Sequence, residues 1–239
     1  MNENITPMGV LYLIPTPLGD NSPLEVLPLS VKKVMEEHKH FIIENEKAAR
    51  QFIKRITPNK NQDKITLYPL NKYTTSEEME SYLDPCKSGI SMGLFSDAGC
   101  PGIADPGALA VSIAQEMNIE VIPLVGPSSI LLALMGSGFS GQNFTFHGYL
   151  PIDKKDKRNE LRKLENMVKQ TGYTQIFMET PYRNEQLLTE AMSSLNADSK
   201  LCIATDIGED SEFISTRLIK NWKEHPNLHK RPTVFALGR

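Results

Sequence analysis

The chain lacks the marks of several common protein classes. Its three cysteines, Cys86, Cys100 and Cys202, are widely spaced and form no CxxC pair. That excludes a disulfide framework or a cysteine zinc site and fits reduced thiols. The five histidines, His38, His40, His147, His225 and His229, show no ligand spacing beyond a weak His38/His40 pair, and HExxH is absent. No metal is therefore expected. No apolar run approaches the roughly 20 residues that span a bilayer. The N-terminal MNENITPMG has neither the basic head nor the apolar middle of a secretory signal. A soluble, cytoplasmic protein without a membrane partner is the expectation. Positive charge is not in excess, since 26 Lys and Arg against 29 Asp and Glu leave a net −3. This excludes a uniformly basic coat for nucleic acid but permits a local patch. There is no G-x-x-x-x-G-K-[ST] phosphate loop, no G-x-S-x-G elbow, no internal repeat and no Gly/Ser-rich linker. GSGFSG (136–141) matches G-x-G-x-x-G, but the apolar helix precedes it and the strand follows. That order is the reverse of what pyrophosphate binding needs, so Gly136 and Gly138 read as helix-stopping residues.

What the chain does have is a regular alternation of strands and helices. Short β-type runs at 9–15, 40–44, 65–70, 89–95, 118–126, 143–150, 174–180, 200–208 and 231–239 are separated by helical patterns. Helices are expected at 24–37 (interrupted near Pro28), 45–56, 74–89 (stopped at Pro85), 108–117, 126–138, 151–172 and 185–195, with a short extended piece and a helix in 212–225. Ser128 or Ser129 is expected to cap the helix beginning near 128. The alternation predicts an α/β protein of two α/β domains, 1–122 and 123–239, with a ligand cleft between them.

Glycine and proline concentrate in the connections. DAGCPGIADPG (97–107) packs three glycines, two prolines and two aspartates into eleven residues between a buried-strand pattern and a helix. PTPLGD (15–20), GPSS (126–129) and METPYRN (178–184) likewise follow strands. Loops at the carboxyl ends of strands are where α/β sheets bind ligands. Backbone groups there suit a polar ligand, although a plain strand-to-helix turn would use the same residue types.

LYLIPTPLGD, LFSDAGCPGIADPG, VIPLVGPSSILLAL, FHGYLP and IFMETPYR, in this order, resemble the tetrapyrrole methylase superfamily, whose members bind S-adenosylmethionine. Within it the chain is most similar to the branch that 2′-O-methylates a cytidine ribose of small-subunit ribosomal RNA. The likeness covers about residues 8–239. It departs at IIENEKAAR (42–50), which keeps Glu44 and a displaced Arg50 but not the branch's Glu-Asp-Thr-Arg run, and at ATDIGED (204–210).

The resemblance implies a two-domain methyltransferase with S-adenosylmethionine in the interdomain cleft. It implies cofactor contacts at Asp97, Ala98, Gly99 and Ile103, and at Ser128, Ser129, Phe177, Met178 and Ala204, with Pro17 and Leu18 closing the pocket. A ribose hydroxyl also needs a base, for which Glu179 is the first candidate, ahead of Glu44 and Tyr182; a structural role for Glu179 competes. Arg183 would hold a phosphate or pair with that carboxylate. DKKDKRNELRK (153–163) offers Lys154, Lys155 and Arg158 to RNA phosphates, or else forms a solvated mixed-charge helix face. A homodimer is expected from the relatives' pairing, and the small ribosomal subunit or its RNA is the expected partner. A methyltransferase for a tetrapyrrole or other small molecule, and a catalytically inactive cofactor-binding paralogue, stay open as alternatives.

Overall fold

A computed structural model describes residues 7–239. The chain divides into two units, the first ending at Pro127 and the second running from Ser128 to Arg239. The break falls after Pro127 rather than after Ile122. Pro123 still registers with Leu13, and the Leu124 N–H donates to the Leu13 carbonyl at 2.9 Å, so the first sheet's ladder continues past the expected boundary.

The first unit runs β1 (Val10–Leu13), α1 (Pro23–Val26), α2 (Leu29–Glu37), β2 (His40–Ile43), α3 (Glu46–Ile56), β3 (Thr66–Pro69), α4 (Ser76–Tyr82), α5 (Asp84–Lys87), β4 (Met92–Phe95), α6 (Gly107–Glu116) and β5 (Glu120–Pro123). Its sheet is wholly parallel, in the order β3-β2-β4-β1-β5. Alternation decides which side chain meets which helix layer. Phe41, Ile43 and Phe95 pack with Val31, Met35, Phe52 and Ile53. Ile42, Met92 and Leu94 pack on the other face with Met79, Leu83, Ala110 and Ala114. Pro28 breaks the 24–37 helix as expected, whereas Pro85 does not end a helix but lies in the first turn of α5.

The strand order fixes where a ligand would go. β1 and β4 are neighbours, yet the chain leaves β1 towards β2 and leaves β4 towards β5, in opposite directions across the sheet. Right-handed crossovers put those two connections on opposite faces, which opens a crevice at the carboxyl ends of β1 and β4.

The second unit runs α7 (Ser129–Ser137), β6 (Phe144–Tyr149), α8 (Lys154–Thr171), β7 (Thr174–Met178), α9 (Asn184–Ser194), β8 (Lys200–Thr205), β9 (Phe213–Leu218) and β10 (Thr233–Gly238). Its sheet order is β6-β7-β10-β8-β9, parallel between β6 and β7 and antiparallel elsewhere. Leu161, Leu164, Leu187 and Leu188 of α8 and α9 close one core with Phe177, Phe235 and Trp222. Two expectations need correction. Residues 212–225 form the full strand β9 and a single 3-10 turn, Ile219–Asn221, not a helix; β9's ladder with β8 extends through Leu218, which leaves no length for one. Neither Ser128 nor Ser129 caps α7 with its side chain, although Ser128 occupies the N-cap position. Gly138 does end α7, in the left-handed conformation (φ 73°).

Candidate functional site

In the first unit the loops after β1 and β4 are sewn together at the crevice. Thr16 and Gly99 exchange backbone hydrogen bonds of 3.0 and 3.2 Å, and the Thr16 hydroxyl donates to the Ser96 carbonyl at 3.3 Å. The segment after Ser96 takes a left-handed backbone at Gly99 (φ 79°), Gly102 (φ 82°) and Ala104 (φ 63°). Asp105 holds that path by accepting from the Gly102 and Gly107 N–H groups at 2.8 and 2.7 Å. A Cβ at Gly99 would lie 3.1 Å from Leu18 Cδ2 and 3.4 Å from the Pro127 carbonyl, so Leu18 and Gly99 face each other across the two loops. Asp97, Ala98 and Ile103 are exposed on the rim, and Pro17 is buried beneath it. A non-glycine residue with positive φ, held by an aspartate that satisfies two backbone donors, marks a loop built for something other than reversal.

Carboxylates gather here. Glu44, at the end of β2, accepts the Asp97 N–H at 3.3 Å across 53 residues of sequence. Burial pushes its pKa up, against the lowering effect of that hydrogen bond and with the charges of Asp105 and Asp97 adding to the rise. Burial likewise raises Asp97. Among the described residues no ion pair neutralises Glu44, Asp97 or Asp105. The edge therefore favours a cation.

In the second unit Glu179 follows β7 and is closed in on every side. Lys157 Nζ lies 2.9 Å from its Oε2, and neither side chain has any accessible surface. Its Oε1 accepts from Arg183 Nε (2.9 Å), Arg183 Nη2 (2.6 Å) and the Thr180 N–H (2.8 Å). Burial would raise its pKa, but the bonds from Arg183, Lys157 and Thr180 outweigh it and the net direction is down. A carboxylate that is fully hydrogen-bonded and made a weaker base has the character of an anchor, which corrects its place as first candidate for the base. Arg183 correspondingly pairs with that carboxylate.

Phe177 and Ala204 are among the other residues expected at the cofactor. Both are wholly buried, and Phe177 stacks on Phe235 with centroids 5.8 Å apart, so these side chains fill the core. Ser128, Ser129 and Met178 keep partial exposure. Tyr182 is 70% exposed beside the turn.

The basic segment on α8 is less free than its composition suggests. Lys154 and Arg158 both pair with the nearly buried Glu190, Lys163 pairs with Glu160, and Arg162 donates to the Ser194 carbonyl. Lys157 turns inward to Glu179. Of the cations between 154 and 163, only Lys155 has its ammonium outside an ion pair or hydrogen bond among the described residues. Lys157 as Glu179's partner was missed although a signal existed. It stands on the same helical stripe as Leu161, Leu164 and Val168, where a lysine must find a buried anion. Asp105's double role and the Glu44 bridge to Asp97 had no comparable local signature.

No family model matches the chain. Curated relatives do. Ribosomal RNA small subunit methyltransferase I of Bacillus subtilis is 31% identical over 208 residues, covering 87% of this chain and 67% of that protein. The protein of the same name from Synechocystis is 32% identical over 205 residues, covering 84% and 67%, and that from Buchnera aphidicola (Schizaphis graminum) is 29% identical over 98% of this chain and 80% of its own. Among solved structures, diphthine synthase superposes with a TM-score of 0.68 at 12% identity, covering 96% of this chain and 90% of its own. The methyltransferase CobJ gives 0.65 at 15% identity, covering 97% and 94%. A uroporphyrin-III C-methyltransferase from Thermus thermophilus, solved with S-adenyl homocysteine, gives 0.55 at 14% identity over 97% and 98%. These structures share the α/β fold, while the sequence relatives span both units at closer identity; on that ground the chain belongs to the ribosomal RNA small subunit methyltransferase I family.

Proposed function

We propose that this chain transfers a methyl group from S-adenosylmethionine to the 2′-hydroxyl of a cytidine ribose in small-subunit ribosomal RNA. The observation that carries this reading, beside the family, is the uncompensated acidic rim of Glu44, Asp97 and Asp105 over the β1/β4 crevice. S-adenosylmethionine is net cationic, and its ammonium and sulfonium suit such a rim; Asp97 and the backbone of Ala98 and Gly99 would hold it, with Leu18 and Ile103 against its apolar parts. When bound, the cofactor supplies a methyl carbon already activated by its sulfonium. The remaining work of the protein is to align the acceptor, which can contribute about 7–11 kcal/mol, and to take the hydroxyl proton. Glu44 fits the second task better than Glu179, because burial strengthens it as a base and its Oε2 carries no hydrogen bond among the described residues.

The test is methyl transfer from radiolabelled S-adenosylmethionine to small ribosomal subunits, with ribonuclease digestion to locate the label. Label in cytidine 2′-O-methyl groups is the expected result, and label confined to ribonuclease-resistant small molecules overturns the reading. In the same assay Glu44→Gln is expected to lower kcat by about 10²–10⁴-fold. The variant should also abolish the acid limb of the pH–rate profile. That limb arises because Glu44 must be ionised to accept the proton, so activity climbs as pH rises through its elevated pKa. A variant with wild-type kcat and an intact limb removes Glu44 from this role.

Among the described residues no helix is long and apolar enough to cross a membrane. A cytoplasmic homodimer is part of the proposal. It is supported by Leu131 and Met135, 49% and 76% exposed on the outer side of α7. Light scattering at micromolar concentration should give twice the 26.8 kDa chain mass, and a monomer mass there refutes the dimer.

A further inference from the structure

Tyr149 and Tyr182 are large, exposed rings, 57% and 70% accessible, on the carboxyl side of the parallel strands β6 and β7. Their placement is built. The register between β6 and β7 slips between Phe146 and Tyr149, and Gly148 takes a left-handed backbone (φ 65°), so the ladder is broken just where Tyr149 is re-aimed. Tyr149 registers with Met178 of β7, next to Glu179, the carboxylate that holds Arg183. Arg183 is fixed by Nε and Nη2 on the buried Glu179, which leaves Nη1 uncommitted among the described residues. Because Lys157 also pairs with Glu179, the Lys157–Glu179–Arg183 group keeps a net positive charge. On the other side, the Lys230 N–H donates to the Pro181 carbonyl at 2.9 Å, and its backbone is itself left-handed (φ 62°). This brings Lys230 Nζ to 5.9 Å from the Tyr182 ring centroid and the His229 ring edge-on at 6.1 Å.

We infer that Tyr149 and Tyr182, with Arg183 and Lys230 close by, form a platform on which unpaired RNA bases stack while their phosphates meet the two cations. The inference rests on the RNA-methylation reading and adds the residues that recognise the acceptor strand. Tyrosine faces take any base, and fixed cations beside them take the intervening phosphate; this pairing is how single-stranded nucleic acid is held. Exposed rings without cations would suit an apolar peptide instead, and cations without rings would suit duplex phosphates. The combination, on a strand end re-aimed by a bulge, favours a splayed single strand.

The test uses the full chain in wild-type form, as Tyr149→Ala, Tyr182→Ala and the double variant, and as the two Phe variants. Binding is read from 2-aminopurine fluorescence in a short single-stranded oligoribonucleotide, KM and kcat from labelled methyl transfer to small ribosomal subunits, and cofactor binding from calorimetry with S-adenosylmethionine. Each alanine is expected to weaken the oligonucleotide by about 10-fold, remove the stacking-dependent quench and raise KM for subunits. The Phe variants should keep the quench and cofactor heat should be unchanged. Wild-type methylation of subunits together with alanine variants that retain affinity and quench overturns the platform and leaves the RNA reading standing. Phe variants as impaired as alanine also overturn it, since a hydroxyl rather than a ring face would then be acting. A wild-type protein that methylates no small-subunit RNA brings down the reading and the platform together. Loss of binding to a tyrosine-recognising peptide pool but not to RNA assigns the surface to protein and likewise overturns the inference.

Discussion

Lys157→Met is expected to lower the unfolding free energy of the second unit by about 3–5 kcal/mol, or on the order of 10 °C in Tm. The substitution keeps volume and helix propensity but leaves Glu179, which has no accessible surface, without its Oε2 partner. Arg183 cannot compensate alone, since its guanidinium is already committed to Oε1 and is partly in solvent. The double variant Lys157→Met/Glu179→Leu should recover most of the loss, because removing both charges removes the desolvation that the pair offsets. The pH dependence gives a separate check. Glu179's pKa is lowered in the fold, so its contribution is present above the unfolded glutamate value and is lost as pH falls through the folded value. In Lys157→Met the buried carboxylate takes up a proton more readily, so the gap between wild type and variant should narrow in acid. Denaturant melts at neutral and acidic pH measure all three proteins. A single variant as stable as wild type, or a gap that widens in acid, contradicts the anchoring role.

Gly99→Val is the second large effect, and it falls on the cofactor. Gly99 has φ 79°, a conformation that β-branched residues strongly resist, and its backbone donates to and accepts from Thr16. Added atoms at Cβ would press on Leu18 Cδ2 at 3.1 Å and on the Pro127 carbonyl at 3.4 Å. The crevice between the β1 and β4 loops is thereby filled and the Thr16–Gly99 bridge strained. The strain itself costs about 1–3 kcal/mol of stability, which a folded protein can bear. Affinity for S-adenosylmethionine is expected to fall at least about 100-fold, close to 3 kcal/mol at 1.4 kcal/mol per tenfold. Methyl transfer should fall with it. Gly99→Ala, with a single added carbon, should lie between the two. Calorimetry on protein shown by circular dichroism to be folded separates lost binding from lost fold. A valine variant that binds as tightly as wild type would move the cofactor away from this crevice.

The amino-acid sequence by itself determined the alternation of strands and helices, because burial on both faces of a parallel sheet writes short branched runs and amphipathic helices writes a 3.6-residue stripe. β1, β2, β4 and β7 and the helices α3 and α8 were legible for that reason, with Asn45 and Asp153 capping the two helices through their side chains. Loop chemistry was legible as well: Gly99 and Gly102 do carry two of the three left-handed positions in 97–107, and Gly138 does stop α7. What sequence could not decide were pairings across long separations. Glu179 looked like a free base because the lysine that saturates it lies 22 residues earlier, in a segment whose charge count suggested solvent. Glu44 looked secondary because its bond to Asp97 crosses 53 residues. The helix expected in 212–225 was overridden by β8, which offered a complete ladder to residues whose local preference was ambiguous. Local patterns record how each residue meets its own helix or strand. Whether a charged group ends as base, anchor or surface depends on which distant partner the fold brings to it, because the cost of burying that charge is decided by that partner alone.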